Sequence, residues 1–141
     1  MSNYILYSNL IDPAHIVNKG SFNSEDNGKN MNYGVWRSKN GTIQGGFETE
    51  SGENYEVNST GRYNDGKWHF ILLAYNGTLL RLDIDGKKQV STKPTKGAIP
   101  DTIGDQPLRI GANSLEEDKF FTGYIDEVRI WNNLMDITAQ I

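Results

Sequence analysis

Residues 66–88, GKWHFILLAYNGTLLRLDIDGKK, decide the fold, because they read as strand, turn, strand, turn and strand in succession. Trp68, Phe70, Leu72 and Ala74 fall on one face of the first strand, and His69, Ile71, Leu73 and Tyr75 on the other. Both faces are apolar or aromatic, so a central strand covered on both sides is expected. Asn76-Gly77 is expected to close a two-residue turn with positive φ at both positions. In the next strand Leu80, Leu82 and Ile84 alternate with Arg81, Asp83 and Asp85, the pattern of one buried and one wet face. Asp85-Gly86 makes the second turn, and residues 87–90 lead away. Two hairpin signals in one meander specify antiparallel sheet.

Upstream, residues 4–10 form a short alternating segment stopped by Asp12-Pro13, where proline removes a ladder donor. Residues 15–19 read as the next strand, ended by Gly20, and SFNSEDNGKN (21–30) as a polar surface loop. Residues 32–37 and 42–48 flank Asn40-Gly41 as a hairpin, with Tyr33 and Val35 facing one way and Trp36 the other. Residues 53–57 are a weaker strand. Downstream, residues 91–106 contain Pro94, Gly97, Pro100 and Gly104, so an irregular segment packed across one end of the sheet is expected. Short strands follow at 107–111, 119–121 and 124–131. No segment sustains a helical period, and no internal repeat is present.

One domain is the natural count for 141 residues, and 15 glycines with 36% hydrophobic residues suit an all-β chain with many turns. The formal net charge is −4 and the basic residues are scattered, which argues against nucleic-acid binding. The lack of cysteine excludes disulfides and thiolate metal sites while leaving the compartment open. Neither a leader nor a long apolar run occurs, so membrane insertion is not expected, and any export signal would lie outside the chain.

GKWHFILLAYNGTLLRLDIDGK, PLRIGA and FFTGYIDEVRIWNNLM, in that order, resemble the laminin G-like domains of the concanavalin A-like jelly-roll superfamily. Trp68, Asp85-Gly86, the LRIG run at 108–111 and the closing strand from Gly123 to Asn132 occupy the corresponding places. HIVNKG and NYGVWRSKNG resemble the earlier strands more weakly. The resemblance implies a single antiparallel β-sandwich of the jelly-roll type, with Trp68, Phe70, Leu72, Leu80, Leu82, Ile84, Ile110, Val128 and Ile130 in its core. It does not by itself choose a function, since this fold hosts lectins, carbohydrate-binding modules, adhesion domains and glycosidases. Domains of this kind usually carry further strands upstream of residues 4–10. Their lack would leave the first and closing strands with an open edge, so a homodimer or pairing with the rest of a parent protein is expected.

Trp36 points away from the Tyr33/Val35 face, and an outward tryptophan with polar neighbours suits sugar stacking; Arg37, Gln44 and Tyr55 are the expected neighbours. The competing reading is that Trp36 is capped by a loop or buried by a strand missing from this chain. Asp126 lies where the alternation of its strand slips, so a bulge with the carboxylate turned inward is expected, and a buried carboxylate needs donors or a cation. The resemblance implies a structural calcium there, to which Asp126, Asn113 and Asp12 would contribute oxygens, against a hydrogen-bonded aspartate. The Glu-x-Asp-x-x-Glu strand of the superfamily's glucanases is absent, Glu116-Glu117-Asp118 falls in a loop, and His15 and His69 read as satisfied strand histidines. The expected function is a non-catalytic glycan- or glycoprotein-binding module of an extracellular or cell-surface protein. A structural domain pairing with a partner protein through a sheet edge is the alternative.

Overall fold

The computed structural model describes the backbone of residues 2–7, and residues 13–21, 30–114 and 119–133, with 88 and 89 by backbone alone. Among the described residues there are ten strands and no helix: β1 (Ser2–Tyr7), β2 (Ala14–Lys19), β3 (Tyr33–Arg37), β4 (Thr42–Glu48), β5 (Asn54–Arg62), β6 (His69–Tyr75), β7 (Leu79–Ile84), β8 (Lys87–Pro94), β9 (Leu108–Ile110) and β10 (Gly123–Arg129). They form two five-stranded antiparallel sheets, β10-β1-β6-β7-β8 and β5-β4-β3-β2-β9, packed face to face. Among the described residues no helix is long and apolar enough to cross a membrane.

The core is the pair of inner faces: Ile16, Val17, Val35, Ile43, Phe47 and Val57 from one sheet against Ile71, Leu80, Leu82 and Ile84 from the other. Leu80, Leu82 and Ile84 are inward, as their alternation predicts. On β6, however, the inward set is Ile71, Leu73 and Tyr75, because these stand directly opposite Ile84, Leu82 and Leu80, and directly paired residues share a face. Phe70 is half-buried, and Leu72 is buried but on the outer face. Three expected core residues are surface residues: Trp68 is 47% exposed, Ile110 54% and Ile130 42%. Ile110 and Ile130 lie in or just beyond edge strands, where no further strand covers them. Val128 is half-buried against the core. The face of β7 expected to be wet is partly closed: Asp83 is buried, 3.1 Å from the Arg81 guanidinium.

The turns also differ in detail. At Asp85-Gly86 both residues have positive φ, 52° and 71°, and Ile84 pairs with Lys87, a two-residue turn of the primed type. The Asn76-Gly77 loop is longer, since Tyr75 pairs with Leu80 and only Gly77 is left-handed. Asn76 instead folds the loop with its side chain, Oδ1 accepting the Thr78 and Leu79 amides at 3.0 and 2.7 Å. Residues 91–94 belong to β8; Pro94 is tolerated because β8 is an edge strand. The remaining segment does close one end of the sandwich. The Tyr75 hydroxyl bonds Thr95 Oγ1 at 2.9 Å and donates to Ala98 O, while Asp101 N donates to Glu48 O at 2.7 Å. Residues 119–121 are not a strand.

β1, expected to lie open, is paired on both sides, with β6 and β10; the edges of its sheet are β10 and β8. The start of β6 is held by a histidine between two carboxylates. His69 Nδ1 lies 2.8 Å from Asp85 Oδ2 and Nε2 lies 2.8 Å from Asp65 Oδ1, while Asp85 Oδ1 takes the Phe70 amide at 2.9 Å. Tyr63 meets the imidazole edge-on with ring centroids 5.0 Å apart. His69 is thus satisfied structurally, as its place in the strand suggested.

Candidate carbohydrate-binding surface

Cross-strand register builds one row over the outer face of the second sheet: His15 stands opposite Trp36, Trp36 opposite Gln44, and Gln44 opposite Asn58. The His15 and Trp36 rings stack with centroids 6.1 Å apart. The indole Nε1 donates to Gln44 Oε1 at 2.7 Å, which turns the amide nitrogen of Gln44 toward β5. That nitrogen donates to Glu56 Oε1 at 3.1 Å and to Asn58 Oδ1, and Asn58 Nδ2 donates to the same Glu56 oxygen at 2.8 Å. Each amide therefore has a fixed direction, and the carboxylate ends the chain as its acceptor. Two hollows flank Trp36. One of about 260 Å³ is bordered by His15, Asn54, Glu56 and Lys119, and a broader one of about 580 Å³ by Lys39, Asn40, Gln44 and Asn58.

Of the four residues expected to meet a sugar, the structure brings together Trp36 and Gln44. Trp36 does face away from the core, but it is only 8% exposed, so little of its ring is open to a ligand. Arg37 and Tyr55 lie on the opposite face, because neighbours in a strand alternate. Arg37 is buried with Nη1 donating to Ser38 O at 3.0 Å, opposite the core residue Ile43. Tyr55 packs on the core, its ring 5.3 Å from that of Phe47, with Lys93 Nζ 5.7 Å from its centroid. A hydrogen bond with Glu53 is the main influence raising its phenol above the ordinary value. Glu56 and Asn58 were missed. The signal was the alternation of Tyr55, Val57 and Ser59 with Glu56 and Asn58, which continues past the predicted end of that strand.

The residues expected at a calcium are engaged separately. Asn113 is buried and its Oδ1 accepts from Asn18 Nδ2 at 3.4 Å. The predicted slip beside Asp126 is a bulge: β10 advances three residues, from Asp126 to Arg129, while β1 advances two, and Glu127 has φ of 54°. The carboxylate does not turn inward; it is exposed, with Oδ1 accepting the Glu127 amide at 2.8 Å. Asp12 lies outside the described residues, as does the 116–118 acidic run. Among the described residues no group of three His, Asp or Glu side chains could hold a metal, and the exposed Asp126 and buried Asn113 do not by themselves make a cage.

A third hollow, about 460 Å³, opens between the sheets with Tyr33, Phe47, Leu73, Leu80 and Trp131 in its walls. Those walls are mainly apolar, with Lys19, Asn32, Tyr75 and Thr102 as their polar members. The row on the outer face, with directed amides and a carboxylate, is chemically the better match to a hydroxyl-rich ligand.

Two antiparallel sheets packed face to face over one apolar core define a β-sandwich of the jelly-roll class. The chain belongs to the Laminin_G_3 family of the concanavalin A-like lectin/glucanases superfamily, whose sequence profile matches residues 11–137. No curated protein matches the sequence. Among solved structures it is similar to the Ruminococcus gnavus IT-sialidase CBM40 bound to α2,6-sialyllactose, with a TM-score of 0.58 and 11% identity over 86% of this chain and 68% of that one. It is also similar to the native heptameric SAP-like pentraxin from Limulus polyphemus, with a TM-score of 0.55 and 13% identity over 88% of this chain and 59% of that one. At such identities the likeness concerns the fold.

Proposed function

We propose that the domain is a non-catalytic glycan-binding module of an extracellular or cell-surface protein, reading sugar hydroxyls with the row Trp36, Gln44, Glu56 and Asn58. The observation that carries this reading is the hydrogen-bonded chain from indole to carboxylate, which presents fixed donors and acceptors beside two hollows on the outer sheet face. Preorganised polar groups of this sort give orientation and specificity to a site without requiring chemistry. The family membership and the fold shared with a sialyllactose-bound module support it. The alternative is an assembly domain that pairs with a partner protein through a sheet edge; β1 is paired on both sides, so the edges open to it are β10, β8, β5 and β9.

Binding to a glycan microarray, followed by calorimetry with α2,6-sialyllactose and the best array ligand, tests the reading. Gln44→Ala and Glu56→Gln are each expected to weaken binding by about tenfold, the cost of a lost hydrogen bond to a polar ligand in a partly buried site. Trp36→Ala is a poorer probe, because truncating a buried tryptophan removes packing as well. Retention of no glycan by the wild-type protein, or wild-type affinity in both row variants, would reject the assignment.

A further inference from the structure

The opposite sheet carries aromatic surface that the row on the second sheet does not use. Trp68, just before β6, is 47% exposed and Tyr124, on β10, is 65% exposed. β1 runs between β6 and β10, so their backbones are two strand spacings apart, roughly 9.5 Å. The two ring centroids are nonetheless only 6.3 Å apart, with the planes inclined at 44°. The rings therefore meet across β1 as an inclined pair, and both residues keep much of their surface in solvent.

Charged residues neighbour the pair in the chain. Lys67, next to Trp68, has a side chain 76% exposed, its Nζ 3.5 Å from Asp65 Oδ2. Asp126 is exposed two residues along β10 from Tyr124, and the pairing of both with alternate residues of β1 puts them on one face. We infer that Trp68 and Tyr124 form a second sugar site, independent of the row on the other sheet, for chains of all-equatorial pyranoses. Such a ring, as in β-1,4-linked glucose or N-acetylglucosamine, directs its C–H bonds to both faces and its hydroxyls to its edge. The faces suit aromatic rings, and the edge suits a carboxylate and an ammonium group. Two inclined rings suit two successive sugars turned relative to each other along a chain. Trp36, nearly sealed and committed to Gln44, leaves little of its ring open for this role.

Cellohexaose and chitohexaose, titrated into the full chain and followed by tryptophan fluorescence and calorimetry, are the probes. At least one is expected to bind and to shift the emission. Trp68→Ala and Tyr124→Ala should each weaken that binding by about tenfold, while Trp68→Phe, which keeps a ring, retains most of it. Circular dichroism confirms that each variant keeps the sheet spectrum. Gln44→Ala should leave hexaose binding unchanged, and Trp68→Ala should leave unchanged any sialyllactose binding at the row, so the two sites fail separately. Absence of binding by both hexaoses at millimolar concentration, or wild-type affinity in the Trp68→Ala/Tyr124→Ala double variant, overturns the inference.

Discussion

Gly20→Ala is expected to destabilise the domain by about 4 kcal/mol or more, a large fraction of the roughly 5–15 kcal/mol by which a domain is ordinarily stable. Gly20 ends β2 at φ of +82°, a conformation that costs an L-residue roughly 1–2 kcal/mol. A Cβ there would overlap Asn30 O and come within 2.7 Å of Asn30 C and Met31 Cα. All three atoms are backbone and cannot rotate away. The junction cannot shift easily either, because Ser114 Oγ accepts from Gly20 N at 2.7 Å and donates to Gly20 O at 3.0 Å, and Asn18 Nδ2 donates to the same oxygen. Gly66 and Gly77 provide the control. Both have positive φ, 75° and 91°, but open space where a Cβ would stand, so alanine there should cost only about 1–2 kcal/mol. Urea unfolding midpoints of the three variants separate collision from backbone preference. Equal losses at Gly20 and Gly66 would show that the close approach of Asn30 has been misread.

The second large effect is at His69. Burial alone would lower its pKa, but hydrogen bonds to Asp85 and Asp65 and their charges outweigh it, and the imidazole is held above its ordinary value of 6.5. The folded protein therefore binds the proton more tightly than the unfolded chain. The stabilisation is fully present below about pH 6.5 and is lost as pH rises through the raised folded value. Asp65 is shifted the other way, chiefly by its bond with His69, so its contribution is present above 3.8 and is lost as pH falls through its lowered value. Unfolding free energy should accordingly fall on both sides of a plateau reaching from about pH 4 to about pH 6.5. At pH 6, His69→Phe should lose about 2 kcal/mol, kept modest because both aspartates are partly solvated, and should remove the fall on the alkaline side. NMR titration of the imidazole resonances checks the cause: a His69 that titrates at or below 6.5 contradicts it.

Much of the fold is legible in short-range signals. The alternation of Leu80, Leu82 and Ile84 gives the buried face of β7, and Asp85-Gly86 gives its turn, because both depend only on neighbours in the chain. Even the inward face of β6 was implicit. In a hairpin whose loop has an even number of residues, the even-numbered residues of β7 must oppose odd-numbered ones of β6, which selects Ile71, Leu73 and Tyr75. An apolar residue on each face hides this until the pairing is followed. The irregularity beside Asp126 was also visible as a slipped alternation, though the direction of its carboxylate was not.

The chain alone determined that this is an antiparallel β-sandwich of laminin G-like kind, and that Trp36 and Gln44 fall on strands that pair. Only the tertiary structure decided that β1 is inserted between β6 and β10, that Tyr55 packs on the core, and that Trp68 and Tyr124 stand together in solvent. The physical reason is the range of the interactions. Strand alternation and turn chemistry act over a few residues, whereas exposure depends on what the other sheet and distant strands cover, and Trp68 meets Tyr124 only because β10 returns to lie beside β1.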